Sequence, residues 1–114
     1  MRRVVVTGMG LLSPLGLGAE HSWRQLLSGK SGARRIEQFE VEDLPCKIAN
    51  PIPREGEGAF DPDAFLEPRE QRKVGDFIIY GIAAADQALA DSGWEPKTEA
   101  DRCATGVMIG SGIG

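Results

Sequence analysis

The chain has 114 residues, 41% of them hydrophobic and 26% charged, the balance of an ordinary globular domain rather than of a disordered or membrane-spanning segment. Its formal charge of −4 excludes a general nucleic-acid binder, because a phosphate backbone demands a basic footprint. Two cysteines and a single histidine leave no Cys/His cluster for a metal and predict a reduced, cytoplasmic setting.

The amino terminus imitates an export signal, with two arginines ahead of an apolar stretch, but Thr7, Gly8, Gly10, Ser13 and Pro14 interrupt it and argue against that role. Residues 3–7, RVVVT, have the unbroken β-branched pattern of a strand buried on both faces of a parallel sheet. Gly8-Met9-Gly10 follows. A dinucleotide-binding turn needs a third glycine that directly opens a helix, yet Ser13 stands in that place, and Pro14, Gly16 and Gly18 delay the helix to about residue 19. A nicotinamide-dependent dehydrogenase is therefore rejected in favour of a tight turn at a strand end.

AEHSWRQLLSGKSG, residues 19–32, reads as a short helix with Trp23, Leu26 and Leu27 on one face and Gly29 at its left-handed stop. His21, in its opening turn, is expected to be solvated. Residues 33–62 carry no sustained period and hold most of the seven prolines, which marks a long connection. PREQRKVGDFIIYGIAAADQALADSGW, residues 68–94, predicts one long, largely buried helix, started by Pro68 and stopped at Gly93. Along it Val74, Phe77 and Ile78 give way to Gly81, Ala84, Ala85 and Ala88, so the second half is expected to lie against another backbone at close range. EPKTEADRCA reads as a polar linker, Gly106–Ile109 as a second buried strand, and Gly110, Gly112 and Gly114 as a glycine turn. Two strands and two helices cannot close a sheet that needs cover on both faces, so the residues are expected to be the first part of a larger protein.

RRVVVTGMGLLSPLG, SWRQLLSGKSG, REQRKVGDFIIYGIAAADQAL and IGSGIG, in this order, resemble the amino-terminal part of a type II β-ketoacyl-acyl-carrier-protein synthase. The resemblance implies an α/β, thiolase-like fold of two duplicated halves, of which residues 1–114 are an incomplete N-terminal portion of the N-terminal domain. It also implies a homodimer that elongates fatty acids by decarboxylative Claisen condensation, without a cofactor, metal, nucleic-acid partner or membrane anchor. The family's nucleophilic cysteine sits at a strand-to-helix elbow and works with two histidines. These are expected beyond residue 114, because Cys46 lies in a connection, Cys103 precedes its strand, and His21 is the only imidazole. Cys103 is instead expected to be a half-buried structural thiol. By the same resemblance Arg69, Arg72 and Lys73, at helical steps of three and four, hold the acidic acyl carrier protein in its acyl- and malonyl-loaded forms, against the plainer reading of a solvated charge run. Ile113 lines the acyl-chain pocket, and Gly112 and Gly114 serve backbone geometry. A ketosynthase-like partner that lacks the nucleophile and sets chain length is the competing reading.

Overall fold

A computed structural model describes residues 1–112. The chain divides into two compact units, one from Leu12 to Asp61 and one combining Met1–Leu11 with the chain from Pro62 onward.

In the first unit β1 (Leu12–Ser13) and β2 (Gly16–Leu17) pair antiparallel, with Leu12 opposite Leu17 and Ser13 opposite Gly16. Pro14 and Leu15 form the link, which the Leu15 N–H tightens by donating to Ser13 Oγ at 3.2 Å. Gly16 at φ 134° and Gly18 at φ 98° then take backbone angles that a side chain would disfavour. Helix α1 (Ala19–Leu27) follows and ends as its sequence requires, with Gly29 at φ 75°. Its buried Ser22 donates to the Gly16 carbonyl at 3.2 Å and lies 2.9 Å from the Ser13 hydroxyl, so the one buried polar side chain of the unit is satisfied. The long connection carries one small ladder, β3 (Arg34–Arg35) against β4 (Ile48–Ala49). Val41 and Phe60 are its buried apolar residues, and the Arg54 guanidinium stands 5.0 Å from the Phe60 ring centroid.

In the second unit a 3-10 turn (Pro62–Ala64) leads to α2 (Pro68–Gln71), α3 (Asp76–Ser92) and α4 (Glu99–Ala104). The expected single long helix is broken. Gly75 is extended at φ −75°, ψ 154° and becomes the N-cap of α3, because glycine loses little by leaving the helix there. Pro68 does open α2, and Gly93 at φ 63° does close α3 with its N–H on the Leu89 and Ala90 carbonyls. Ile79 and Ala83, one turn apart, are the buried apolar residues of α3. The expected polar linker is also corrected: residues 99–104 form α4 behind a reciprocal capping box of Thr98 and Asp101, which satisfies two orphan backbone donors at once.

Among the described residues neither 3–7 nor 106–109 joins a strand ladder, and no parallel pair is present. Both segments are apolar and open to solvent, with Val4 95% and Met108 98% exposed. Strand formation needs an adjacent strand to accept and donate the ladder bonds, and a period of apolar residues cannot supply one. No helix among the described residues is long and apolar enough to cross a membrane.

Candidate functional site

The close backbone approach foreseen for the small-residue half of α3 is present, and its partner is the opening turn. A Cβ on Gly8 would lie 2.3 Å from the Ala88 carbonyl oxygen, and one on Gly10 only 1.8 Å from that of Ala84. Between them the Met9 N–H donates to Asp91 Oδ2 at 2.8 Å. This turn therefore spends its Met9 amide on a carboxylate of its own chain.

His21 is not solvated, contrary to the sequence expectation. Its side chain is 11% exposed, Nε2 donates to the Leu15 carbonyl at 3.1 Å, and Nδ1 lies 3.8 Å from Glu57 Oε1. The ring occupies the space that glycine leaves: a Cβ at Gly16 or Gly58 would approach it to 2.6 or 2.3 Å. It is thus a packing group of the Leu12–Asp61 unit. Cys103 is corrected too. It lies exposed in the last turn of α4, 3.8 Å from Glu99 Oε1, because the linker that was to half-bury it is a surface helix. Cys46 is likewise exposed. Among the described residues no three His, Cys, Asp or Glu side chains converge to hold a metal ion.

Arg69, Arg72 and Lys73 are all exposed, but they do not open a long helix. Arg69 lies within the four residues of α2, Arg72 is its C-cap, and Lys73 continues the turn by donating its N–H to the Glu70 carbonyl at 3.0 Å. So short a helix has little dipole for the cations to oppose. Lys73 Nζ is held by Glu70 Oε1 at 2.6 Å, whereas among the described residues Arg69 and Arg72 have no carboxylate within ion-pair distance.

Ile113 and Gly114 lie outside the described residues. Gly106, Gly110 and Gly112 have nothing within 4 Å of a built Cβ. What the sequence reading missed is an apolar groove of about 380 Å³, walled by Phe77, Ile78, Gly81 and Ile82 of α3 and by Ile109–Ser111. Its signal was the FIIYGI run, whose large residues exceed what one buried face of a helix can use.

The Asp101 carboxyl, inside the capping box of α4, is shifted downward. The Thr98 backbone N–H holds its carboxyl below the usual carboxylate value and the Thr98 side chain adds to this; burial opposes the shift, and the Lys97 N–H contributes the smallest share in the same direction as Thr98.

Comparison with known proteins covers the whole chain. The family described as Beta-ketoacyl synthase, N-terminal domain, matches residues 1–114. The 3-oxoacyl-[acyl-carrier-protein] synthase 2 of Rhizobium meliloti (strain 1021) is 58% identical over 116 residues, covering 100% of this chain and 28% of that protein. The protein of the same name from Vibrio cholerae is 46% identical over 113 residues, 99% of this chain and 26% of its own length. Among solved structures, the ishigamide ketosynthase/chain length factor superposes with a TM-score of 0.68 at 35% identity, over 88% of this chain and 23% of that one. The chain thus spans about a quarter of the length of these relatives, and its fold is α/β and thiolase-like. On a family match from the first residue to the last, this chain belongs to the beta-ketoacyl synthase family, within its N-terminal domain.

Proposed function

We propose that the chain is the N-terminal portion of a 3-oxoacyl-[acyl-carrier-protein] synthase, an acyltransferase of fatty-acid biosynthesis. The observation that carries this reading is 58% identity across the entire chain to a protein of that name. In the reaction an enzyme thiolate takes the acyl group from its carrier as a thioester. Malonyl-carrier then loses carbon dioxide, the resulting carbanion forms a carbon–carbon bond to the acyl carbonyl, and the thiolate leaves. Backbone N–H donors facing the carbonyl oxygen would stabilise the charge that develops on it.

Residues 1–114 form an incomplete part of the N-terminal domain in this reading, and the nucleophilic cysteine and both histidines belong to sequence beyond them. The single packed His21 and the helical, exposed Cys103 support that division, and the 114-residue chain alone is inactive. Arg69 and Arg72, with Lys73 beside them, receive the acyl carrier protein; their exposure and the two unclaimed guanidinium groups support the role. Ile113 borders the acyl chain. The protein works as a cytoplasmic homodimer without a cofactor.

The similarity to a ketosynthase/chain length factor favours a second reading, a subunit that keeps the fold without the nucleophile. Incubation of the full-length protein with acyl-carrier or cerulenin, followed by intact-mass measurement, separates the two. A covalent adduct on one cysteine is expected, and its absence favours the second reading.

A further inference from the structure

At the end of α3 the chain builds a clasp. Gly93 turns it out of the helix, and the Trp94 N–H donates to Ser92 Oγ at 3.0 Å, which roots the indole at the helix end. The indole Nε1–H then reaches Thr105 Oγ1, eleven positions along the chain, at 3.1 Å. The Thr105 hydroxyl has one proton, and that proton goes to the Asp101 carbonyl at 2.7 Å. Toward the indole the oxygen can only accept. One atom therefore ties the end of α3, the body of α4 and the first residue of the segment 105–112, and the Thr98–Asp101 box holds α4 itself in place.

From Thr105 the chain comes back along α3. Helix α3 rises about 17 Å from Gly81 to its last residue, Ser92, a span that the four residues after Thr105, at up to about 3.3 Å each, can largely cover. By Ile109 the segment lies beside Gly81, where a built Cβ would meet Ile109 Cδ1 at 3.9 Å. The anchoring of Thr105 sets which side chain arrives there. Slippage by one residue would bring Met108 or Gly110 against Gly81 and turn every following side chain to the other face. Either change would reshape the groove between Ile109 and the Phe77–Ile78–Ile82 wall.

We infer that Trp94 and Thr105 are positioning residues that fix the register of segment 106–112 against α3, and through it the length of acyl chain the enzyme accepts. The second half of this statement rests on the reading above in which Ile113 borders the acyl chain; the register itself does not. The test uses Thr105→Val, which keeps the shape and removes the hydroxyl, Thr105→Ser, which restores the hydroxyl, and Trp94→Phe, which removes the indole donor. Each is made in the full-length enzyme and compared by hydrogen exchange of the 106–112 amides and by kcat/KM for a long against a short acyl-carrier substrate.

Thr105→Val and Trp94→Phe are expected to speed exchange in 106–112 and to change the long-to-short ratio by about three- to tenfold, while Thr105→Ser stays close to wild type. A purely structural loss would lower both substrates equally. Unchanged exchange in Thr105→Val overturns the positioning role, whatever the substrate profile. Faster exchange with an unchanged ratio overturns the link to chain length. Ile113→Phe, run alongside, reports separately on the pocket reading: a shifted profile there with an unshifted one in Thr105→Val overturns the link to chain length and leaves that reading standing.

Discussion

Gly10→Ala probes the contact on which the second unit depends. The new methyl carbon would lie 1.8 Å from the Ala84 carbonyl oxygen and 2.8 Å from both the Ala84 carbonyl carbon and the Ala88 nitrogen. All three are backbone atoms of a helix, so no side chain can swing aside, and restoring ordinary contact opens the packing by roughly 1.6 Å. Gly10 has no positive φ, so dihedral strain contributes nothing and the whole effect is steric. Overpacking in cores costs typically 1–3 kcal/mol, and against rigid backbone the upper end applies, about 3 kcal/mol or a hundredfold in the folding equilibrium. Gly106→Ala is the control: it too lacks a positive φ and has nothing within 4 Å, so it is neutral or slightly stabilising. The assay is denaturant unfolding of the full-length protein with each substitution. A Gly10→Ala protein as stable as Gly106→Ala would refute the close approach of the opening turn to α3.

Reversing Arg69 and Arg72 to glutamate together weakens acyl-carrier binding about tenfold at low salt, with the difference shrinking as screening increases; titration at two ionic strengths reads it, and equal affinities at low salt would remove the docking role. Ile113→Phe shortens the preferred acyl chain, because the added ring takes room from terminal methylenes, with the long-to-short product ratio falling roughly tenfold; an unaltered product profile contradicts it. Asp101→Ala lowers stability by an amount that depends on pH. The native carboxyl titrates below its ordinary value of 3.8, so its contribution is complete above that value and is lost as pH falls through the lower native one. The gap in denaturation midpoint between wild type and Asp101→Ala is therefore constant through neutral pH and closes in acid, and a gap that persists there counts against the capping box.

Local grammar made the helices legible where one residue decides a boundary. Gly29 and Gly93 stop helices by taking left-handed angles, and Pro68 starts one. The tight packing of the small-residue half of α3 was also readable, although its partner was not: Gly8 and Gly10 lie roughly seventy to eighty positions away, and spacing carries no information about which backbone arrives. The break at Gly75 was hidden because the apolar period runs on through it. Helix α4 had its signal in Thr98-x-x-Asp101, a capping pattern outweighed by the polar composition around it. Residues 3–7 and 106–109 read as buried strands, yet they lack ladders here because a buried strand is a property of its neighbours as much as of its own residues. Arg69 and Arg72 stand out by resemblance, whereas their exposure and the pairing of Lys73 with Glu70 required the fold.

The central claim, that these residues open a condensing enzyme, is tested most directly by supplying the full-length protein with acyl-carrier and malonyl-carrier and following product. The expected products are 3-oxoacyl-carrier and one carbon dioxide per bond formed. Release of carbon dioxide with no chain lengthening, or no turnover from a folded protein, contradicts it.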